Sequence, residues 1–213
     1  MTDKTPKALL PINGKPLLDH ILKRLPAAVD EVVVVANHKF IKQFEAWQEE
    51  CEIAVRLLDN GTMSVQESPG ALQDMLLGLA QVDDDVIVMA GDTLFAFSLE
   101  EPYDLMRERD EAILIVKQVA DRQAIAGRYG CVETDEEGIV SSFTEKPTQP
   151  ASDLAATPFY LFPKSKVAAV RKTLEDAKGK NMGDLITALL QRMKVHAWRM
   201  TGERYDIGTP EDY

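Results

Sequence analysis

Val86-Ile87-Val88-Met89-Ala90-Gly91-Asp92 is an apolar run of strand length that ends in a glycine and a carboxylate. A strand that is apolar at every position needs cover on both faces, as in sheets flanked by helices. Gly91 allows backbone or ligand to come close. Asp92 then projects beyond the strand's C-terminal end, where open α/β sheets hold their ligands. The same dipeptide also suits a simple turn cap, so it does not decide the matter alone.

Working outward, the chain alternates between two periods. Ala71, Leu72, Met75, Leu76 and Leu79 form a helical stripe just before this strand. Upstream, Ile53 to Leu58 reads as a strand closed by the turn signal Asp59-Asn60-Gly61. Phe40, Ile41, Phe44 and Trp47 give another stripe, preceded by the apolar run Glu31 to Ala36. A third stripe, Leu17, Leu18, Ile21, Leu22 and Leu25, opens after Pro16, a residue the first helical turn tolerates. Strands separated by helices of this length predict right-handed crossovers, a parallel sheet and an α/β doubly wound, Rossmann-like domain.

The second half changes texture. Ala112 to Val119 reads as a strand, and Tyr129 to Thr134 and Ile139 to Phe143 flank Asp135-Glu136-Glu137-Gly138, a hairpin-length loop. Phe159 to Phe162 reads as a short strand, Lys164 to Ala177 and Met182 to Met193 as helices, and Val195 to Met200 as a further strand. The expectation is a small antiparallel elaboration over the active-site edge of a mostly parallel sheet. The whole, residues 1–213, reads as one domain in two parts, over about 1–110 and about 111–213, where the pattern changes.

Composition removes several classes of function. Net charge is −11, from 35 acidic and 24 basic groups, which repels a polyphosphate backbone and disfavours broad nucleic-acid binding. No apolar run approaches the ~20 residues of a membrane span, and no export signal opens the chain, so a cytoplasmic protein is expected. Cys51 and Cys131 lack metal or disulfide spacing and read as ordinary thiols. His20, His38 and His196 each read as structural. A homo-oligomer is left open.

Two further stretches carry chemistry. In Glu145-Lys146-Pro147, Pro147 is expected to hold Lys146 extended, sending Glu145 and Lys146 to opposite sides, one for hydroxyls and one for phosphate. In Tyr205-Asp206-Ile207-Gly208-Thr209-Pro210-Glu211-Asp212, Thr209-Pro210 reads as a helix start, and Glu211 and Asp212 suit the helix dipole. Asp206 precedes that start and is free for a ligand. Two carboxylates with a lysine nearby suit Mg²⁺, which takes one or two carboxylates, waters and phosphate oxygens.

Taken together, these stretches resemble a known family. Thr5-Pro6-Lys7-Ala8-Leu9-Leu10-Pro11-Ile12-Asn13-Gly14-Lys15-Pro16-Leu17-Leu18 is similar to the second half of the opening motif of sugar-nucleotide pyrophosphorylases. Gly91-Asp92-Thr93, Tyr129-Gly130, Phe143-Thr144-Glu145-Lys146-Pro147 and Tyr205 to Glu211 follow in that family's order, and glucose-1-phosphate thymidylyltransferases look like the nearest type. The resemblance implies a magnesium-dependent nucleotidyltransferase joining a nucleoside triphosphate to a sugar 1-phosphate. It implies that Lys7 contacts the triphosphate, that Gln66 and Gly70 belong to the base-reading loop, and that Asp92 and Asp206 are the metal ligands. It assigns sugar contacts to the Gly130 N–H, to Glu145 and to Thr157, and the sugar phosphate to Lys146. The family opens with a buried strand and a glycine-rich loop ending in arginine. The resemblance therefore implies a chain incomplete at both ends, lacking roughly 15–20 residues before Thr2, one strand and its loop, with weak or no turnover expected as it stands. Two other readings stay open: a non-catalytic regulator that binds an NDP-sugar, and a cytidylyltransferase acting on an alcohol phosphate such as phosphocholine. The latter would want an aromatic cage, for which Tyr129, Phe159 and Tyr160 are the candidates.

Overall fold

A computed structural model of the chain describes residues 4–64, 67–177 and 181–206, the last three of these as backbone only. In chain order the elements are β1 (Pro11–Ile12), β2 (Lys15–Pro16), α1 (Leu17–Leu22), β3 (Glu31–Ala36), α2 (Ile41–Gln48), β4 (Ala54–Asp59), α3 (Ala71–Leu79), β5 (Val86–Met89) and β6 (Thr93–Phe95). They continue with α4 (Glu100–Arg109), β7 (Ala112–Gln118), β8 (Cys131–Thr134), β9 (Val140–Thr144), β10 (Leu154–Phe162), α5 (Lys164–Asp176), α6 (Met182–Leu190), β11 (Val195–Arg199) and β12 (Arg204–Asp206). The chain divides into two compact units. One comprises the residues up to Pro69, Ala90–Glu100 and those from Gly202 onward; the other comprises Gly70–Met89 and Glu101–Thr201.

In the first unit β3 and β4 pair in parallel, from Glu31 opposite Ala54 to Ala36 opposite Asp59. The predicted stripes are the buried ones: α1 buries Leu17, Leu18 and Ile21, and α2 buries Phe44 and Trp47. Trp47 Nε1 donates to Asp19 Oδ1 at 2.8 Å, which ties the two helices together. His20 and His38 each have a partner within this unit. His20 Nε2 lies 2.8 Å from the Ile12 carbonyl, and His38 Nδ1 lies 2.6 Å from Asp59 Oδ2. That hydrogen bond, with a second from the Gly61 N–H, holds the Asp59 carboxyl below its usual range. β6 and β12 pair antiparallel, Thr93 opposite Asp206.

The second unit holds a six-stranded sheet in the order β11-β7-β10-β8-β9, with β5 also paired to β10. The α/β class read from the sequence is the class observed. Parallel pairing joins β11 to β7, and the antiparallel pairs gather around β10, which meets β5, β7 and β8. β10 corrects the sequence reading: the expected short strand over 159–162 runs for nine residues from Leu154. Pro158 concealed this, because proline removes a ladder donor and is normally confined to edges and bulges. It is accommodated here because the β10–β7 register shifts between Ala156 and Tyr160. α4 is a second addition. Its sequence is dominated by charge, and only Pro102 and Met106 are buried, so no stripe announces it.

α3, α5 and α6 cover one face of this sheet. Leu72, Leu79, Val170, Leu174, Leu185 and Leu189 pack with Leu114, Val116, Tyr160 and Phe162 in one core. At ~1.5–3 kcal/mol for each large apolar side chain removed from water, this cluster is the main stabilising term of the unit. Among the described residues no helix is long and apolar enough to cross a membrane.

His196, on β11, sits under the β8–β9 hairpin. Its ring lies 3.0 Å from where a Cβ on Gly138 would be, and Nδ1 is buried with no hydrogen-bond partner among the described residues. Burial, then the positive charge of Arg109, lowers its pKa, partly offset by Glu111 and Asp135. A histidine held neutral in the fold accepts its proton more readily when unfolded. Its stability contribution is thus full above ~6.5, the ordinary histidine value, and is lost as pH falls below it. The thermal midpoint should accordingly drop between pH 7.5 and pH 5.5, and His196→Gln should flatten that slope. An unchanged slope in the variant would assign the pH dependence elsewhere.

Candidate functional site

The first unit gathers the residues assigned to triphosphate and metal. Thr5-Pro6-Lys7 leads into a single 3-10 turn over Lys7–Leu9, which Leu10 closes by donating its N–H to the Lys7 carbonyl. That turn presents Lys7 toward the loop after β5, where its Nζ stands 3.8 Å from Asp92 Oδ2. A Cβ at Gly91 would make only ordinary contacts with Ala8 and Leu18, both at 3.7 Å. The surrounding protein therefore does not require glycine at this position.

Asp206 reaches the same place through β-sheet pairing. It lies opposite Thr93, the residue after Asp92, and the ladder continues where Ala96 donates its N–H to the Glu203 carbonyl at 3.1 Å. Thr93 is 1% exposed, so this seam is buried on the β6 side. The structure thus brings together three of the sequence-predicted residues, Lys7, Asp92 and the backbone of Asp206, from three remote segments. Asp92 and Asp206 are both carboxylate residues, the hard oxygen ligand type that Mg²⁺ prefers, so their residue type suits that ion. Gln66, and the helix start at Thr209-Pro210 with Glu211 and Asp212, lie outside the described residues.

The second unit holds the residues assigned to the sugar phosphate. Gly130 is buried against the Phe143 ring, and its carbonyl accepts from the Ala156 N–H at 2.8 Å. Glu145 and Lys146 follow β9, and here the structure corrects the sequence reading twice. Lys146 is not extended: its φ is 44°, in the left-handed region. Pro147 bars the right-handed helical region to the preceding residue, and the chain takes the other helical hand because the Pro147 carbonyl is claimed by the Gly127 N–H at 3.0 Å. Nor do the two side chains diverge, since Lys146 Nζ lies 3.9 Å from Glu145 Oε1.

Thr157 is 3% exposed and donates its hydroxyl to the Ile115 carbonyl at 2.6 Å. Its hydrogen is therefore committed to the sheet. Burial, and after it the Glu145 charge, pushes the Tyr160 phenol above its ordinary pKa, which keeps it protonated. Of the aromatic cage candidates, Phe159 is 0% and Tyr160 5% exposed, both in the core, and the Arg128 guanidinium stands 5.7 Å above the Tyr129 ring. This disposition gives no support to recognition of a quaternary ammonium. Cys51 and Cys131 are free thiols, as their spacing indicated.

Both lysine–carboxylate pairs are half exposed, Lys7 and Asp92 at 33% and 46%, Lys146 and Glu145 at 57% and 40%. Exposed pairs of this kind contribute ~0–1 kcal/mol. The Lys146–Glu145 pair can therefore separate at little cost.

Lysine–carboxylate pairs placed beyond strand ends of an α/β fold suit the handling of phosphates. The chain belongs to the nucleotidyl transferase family, whose model matches residues 1–213. It is 29% identical over 213 residues to the bifunctional protein GlmU of Methanocaldococcus jannaschii, covering 100% of this chain and 48% of that protein. It is 28% identical over 223 residues to the UTP–glucose-1-phosphate uridylyltransferase AglF of Haloferax volcanii, covering 100% of this chain and 86% of that one. The chain therefore spans about half the length of the first relative and most of the second. Among solved structures, it superposes with a TM-score of 0.80 and 20% identity on a protein described as a glucose-1-phosphate thymidylyltransferase from Bacillus anthracis, covering 99% of this chain and 85% of the other. A UDP-glucose pyrophosphorylase bound to UDP-glucose gives 0.77 at 22% identity, covering 100% and 89%. At these identities the structural likeness establishes the fold.

Gly70 has a signal that sequence reasoning captured only as part of a loop. It caps α3 with φ 91° and ψ 162°, a conformation essentially reserved for glycine. Replacing it by alanine should lower unfolding stability by about 1–3 kcal/mol, read from the urea midpoint. An unshifted midpoint would show that the loop relaxes into another conformation.

Proposed function

We propose that the chain condenses a nucleoside triphosphate with a sugar 1-phosphate, releasing pyrophosphate and an NDP-sugar, with Mg²⁺ as the metal. The observation that carries this reading is the β6–β12 register. It seats Asp206 beside the loop of Asp92 and Lys7, in a chain whose family is nucleotidyl transferases. The relatives named as uridylyltransferase and thymidylyltransferase support a sugar 1-phosphate as the acceptor.

In this reaction a phosphate oxygen of the sugar 1-phosphate attacks the α-phosphorus of the triphosphate. A new P–O bond forms, and the bond to the β-phosphate oxygen breaks. The nucleophile is already anionic, so no general base is required. The barrier comes from bringing two anions together and from charge building on the phosphoryl oxygens. Lys7 would turn from Asp92 to the triphosphate, and Lys146 from Glu145 to the sugar phosphate. Each would place a positive charge where negative charge develops. Glu145, relieved of its lysine, would accept hydrogen bonds from sugar hydroxyls, with the Gly130 N–H as a donor beside it. Asp92 and Asp206 would hold the Mg²⁺, which would supply charge neutralisation at the phosphates.

The test is a matrix of the common nucleoside triphosphates against glucose, N-acetylglucosamine, mannose and galactose 1-phosphates, scored by pyrophosphate release with Mg²⁺ and with EDTA. We expect metal-dependent release from at least one pair, at a low rate. Lys7→Gln and Lys146→Gln should each lower kcat/KM for that pair by ~10²–10³. Absence of release from every pair, or full rates in both lysine variants, would contradict the assignment.

A further inference from the structure

Two glycines pack against the segment that leads to Glu145. Phe143 lies on β9 and Glu145 just past its end. Gly130 lies against Phe143, where a Cβ would overlap the ring. Gly183 lies against both side chains from the first turn of α6. A Cβ on Gly183 would stand 2.5 Å from Glu145 Oε2, 3.1 Å from its Cδ and 3.0 Å from Phe143 Cε1. Those distances leave no room for even one methyl group without displacing the carboxylate.

Gly183 cannot readily drift to make that room. Asn181 caps α6, its side chain accepting the Asp184 N–H at 3.0 Å, and Leu185 and Ile186 bury the next turn in the core. On its other side the Lys146 ammonium stands 3.9 Å from Oε1, half exposed and able to leave. The wall behind Oε2 is thus the start of α6, while the Glu145 side chain keeps 40% of its surface open. A carboxylate backed on one side by a helix and open on the other is pre-organised to accept hydroxyls arriving from the open side. Pre-organisation of this kind raises affinity by removing the cost of ordering the group on binding.

We propose that Gly183 is a positioning residue that sets affinity for the sugar 1-phosphate through Glu145. It touches no substrate itself. Lacking a side chain, it lets the carboxylate sit back against the start of α6, which defines the depth available to the sugar ring. The proposal rests on the assignment of Glu145 as the hydroxyl acceptor. It goes beyond that assignment by naming the residue that fixes the acceptor's place.

A cycle of Gly183→Ala, Glu145→Asp and the double variant tests it, starting with UTP and glucose 1-phosphate and moving to the best pair of the matrix if another is preferred. Aspartate is shorter by one carbon–carbon bond, about 1.5 Å, and withdraws its oxygens from the alanine methyl. Gly183→Ala should raise the KM for the sugar 1-phosphate about tenfold, within the range of coupling energies for residues in contact, and leave the KM for the nucleoside triphosphate within about twofold. In the Glu145→Asp background the same substitution should have little further effect. Equal effects of Gly183→Ala in both backgrounds, or equal rises in both KM values, would overturn the proposal. Should Gly183→Ala fail to fold, thermal unfolding decides. Recovery of the folded state in the double variant supports coupling to Glu145, and the same loss in both places the constraint at Phe143 and overturns it. If the wild-type protein turns over no pair, the assigned reaction fails, and the same unfolding cycle still reads the Gly183–Glu145 coupling.

Discussion

A three-residue antiparallel ladder is the constraint on which the first unit's candidate site depends. β12 returns to β6 and places Asp206 opposite Thr93, so a residue from the end of the described chain meets the loop that follows β5. A slip of one residue would change every pairing along a strand. The ladder therefore determines which residue of β12 stands opposite Thr93, next to Asp92. Few hydrogen bonds hold so short a pairing, and the buried Thr93, Phe95 and Phe97 supply its apolar backing. The chemistry assigned to this unit follows from that register. Lys7 can neutralise charge only because a short 3-10 turn brings its ammonium to Asp92.

In the second unit the corresponding constraint is β10. It pairs with three strands, and its proline is tolerated only because the register with β7 breaks around it. β8 and β9 hang from this strand, and β9 delivers Phe143, Glu145 and Lys146 in a fixed order. The left-handed Lys146 turn and the two glycines against Phe143 and Glu145 then set where the charges stand. Backbone geometry, more than side-chain identity, does the positioning here. Both lysine–carboxylate pairs are half exposed, so neither is a large stabilising term. Stability comes instead from the apolar contacts of α3, α5 and α6 with the sheet.

Much of this was legible in the sequence because one physical rule generated it. The runs at Glu31–Ala36 and Ala54–Asp59 are apolar enough to identify themselves as strands, and the stripes of α1, α2 and α3 have the spacing that burial of one helical face demands. The β8–β9 hairpin followed from its turn residues. What failed had no local signal, or a misleading one. Pro158 argued against a central strand, and the charged surface of α4 hid a helix with two buried residues. Pro147 suggested an extended Lys146, when the chain takes a positive φ there, beside the bond from the remote Gly127 N–H to the Pro147 carbonyl. Motif order singled out Lys7, Asp92, Glu145 and Lys146 as candidates, and the structure pairs Lys7 with Asp92 and Lys146 with Glu145. Gly183 could not be found that way, since its importance is a distance to a carboxylate from a different element.

The central claim is that the carboxylates of Asp92 and Asp206 serve one divalent ion. Titrating Mn²⁺ into the protein with saturating nucleoside triphosphate, and reading free ion by electron paramagnetic resonance, tests it without requiring turnover. Loss of an outer-sphere partner typically weakens metal affinity ~10–100-fold, and loss of a direct ligand should weaken it at least as much. The account predicts that Asp92→Asn and Asp206→Asn each weaken the same single site by about tenfold or more, with circular dichroism unchanged. Wild-type Mn²⁺ affinity in either variant would contradict it.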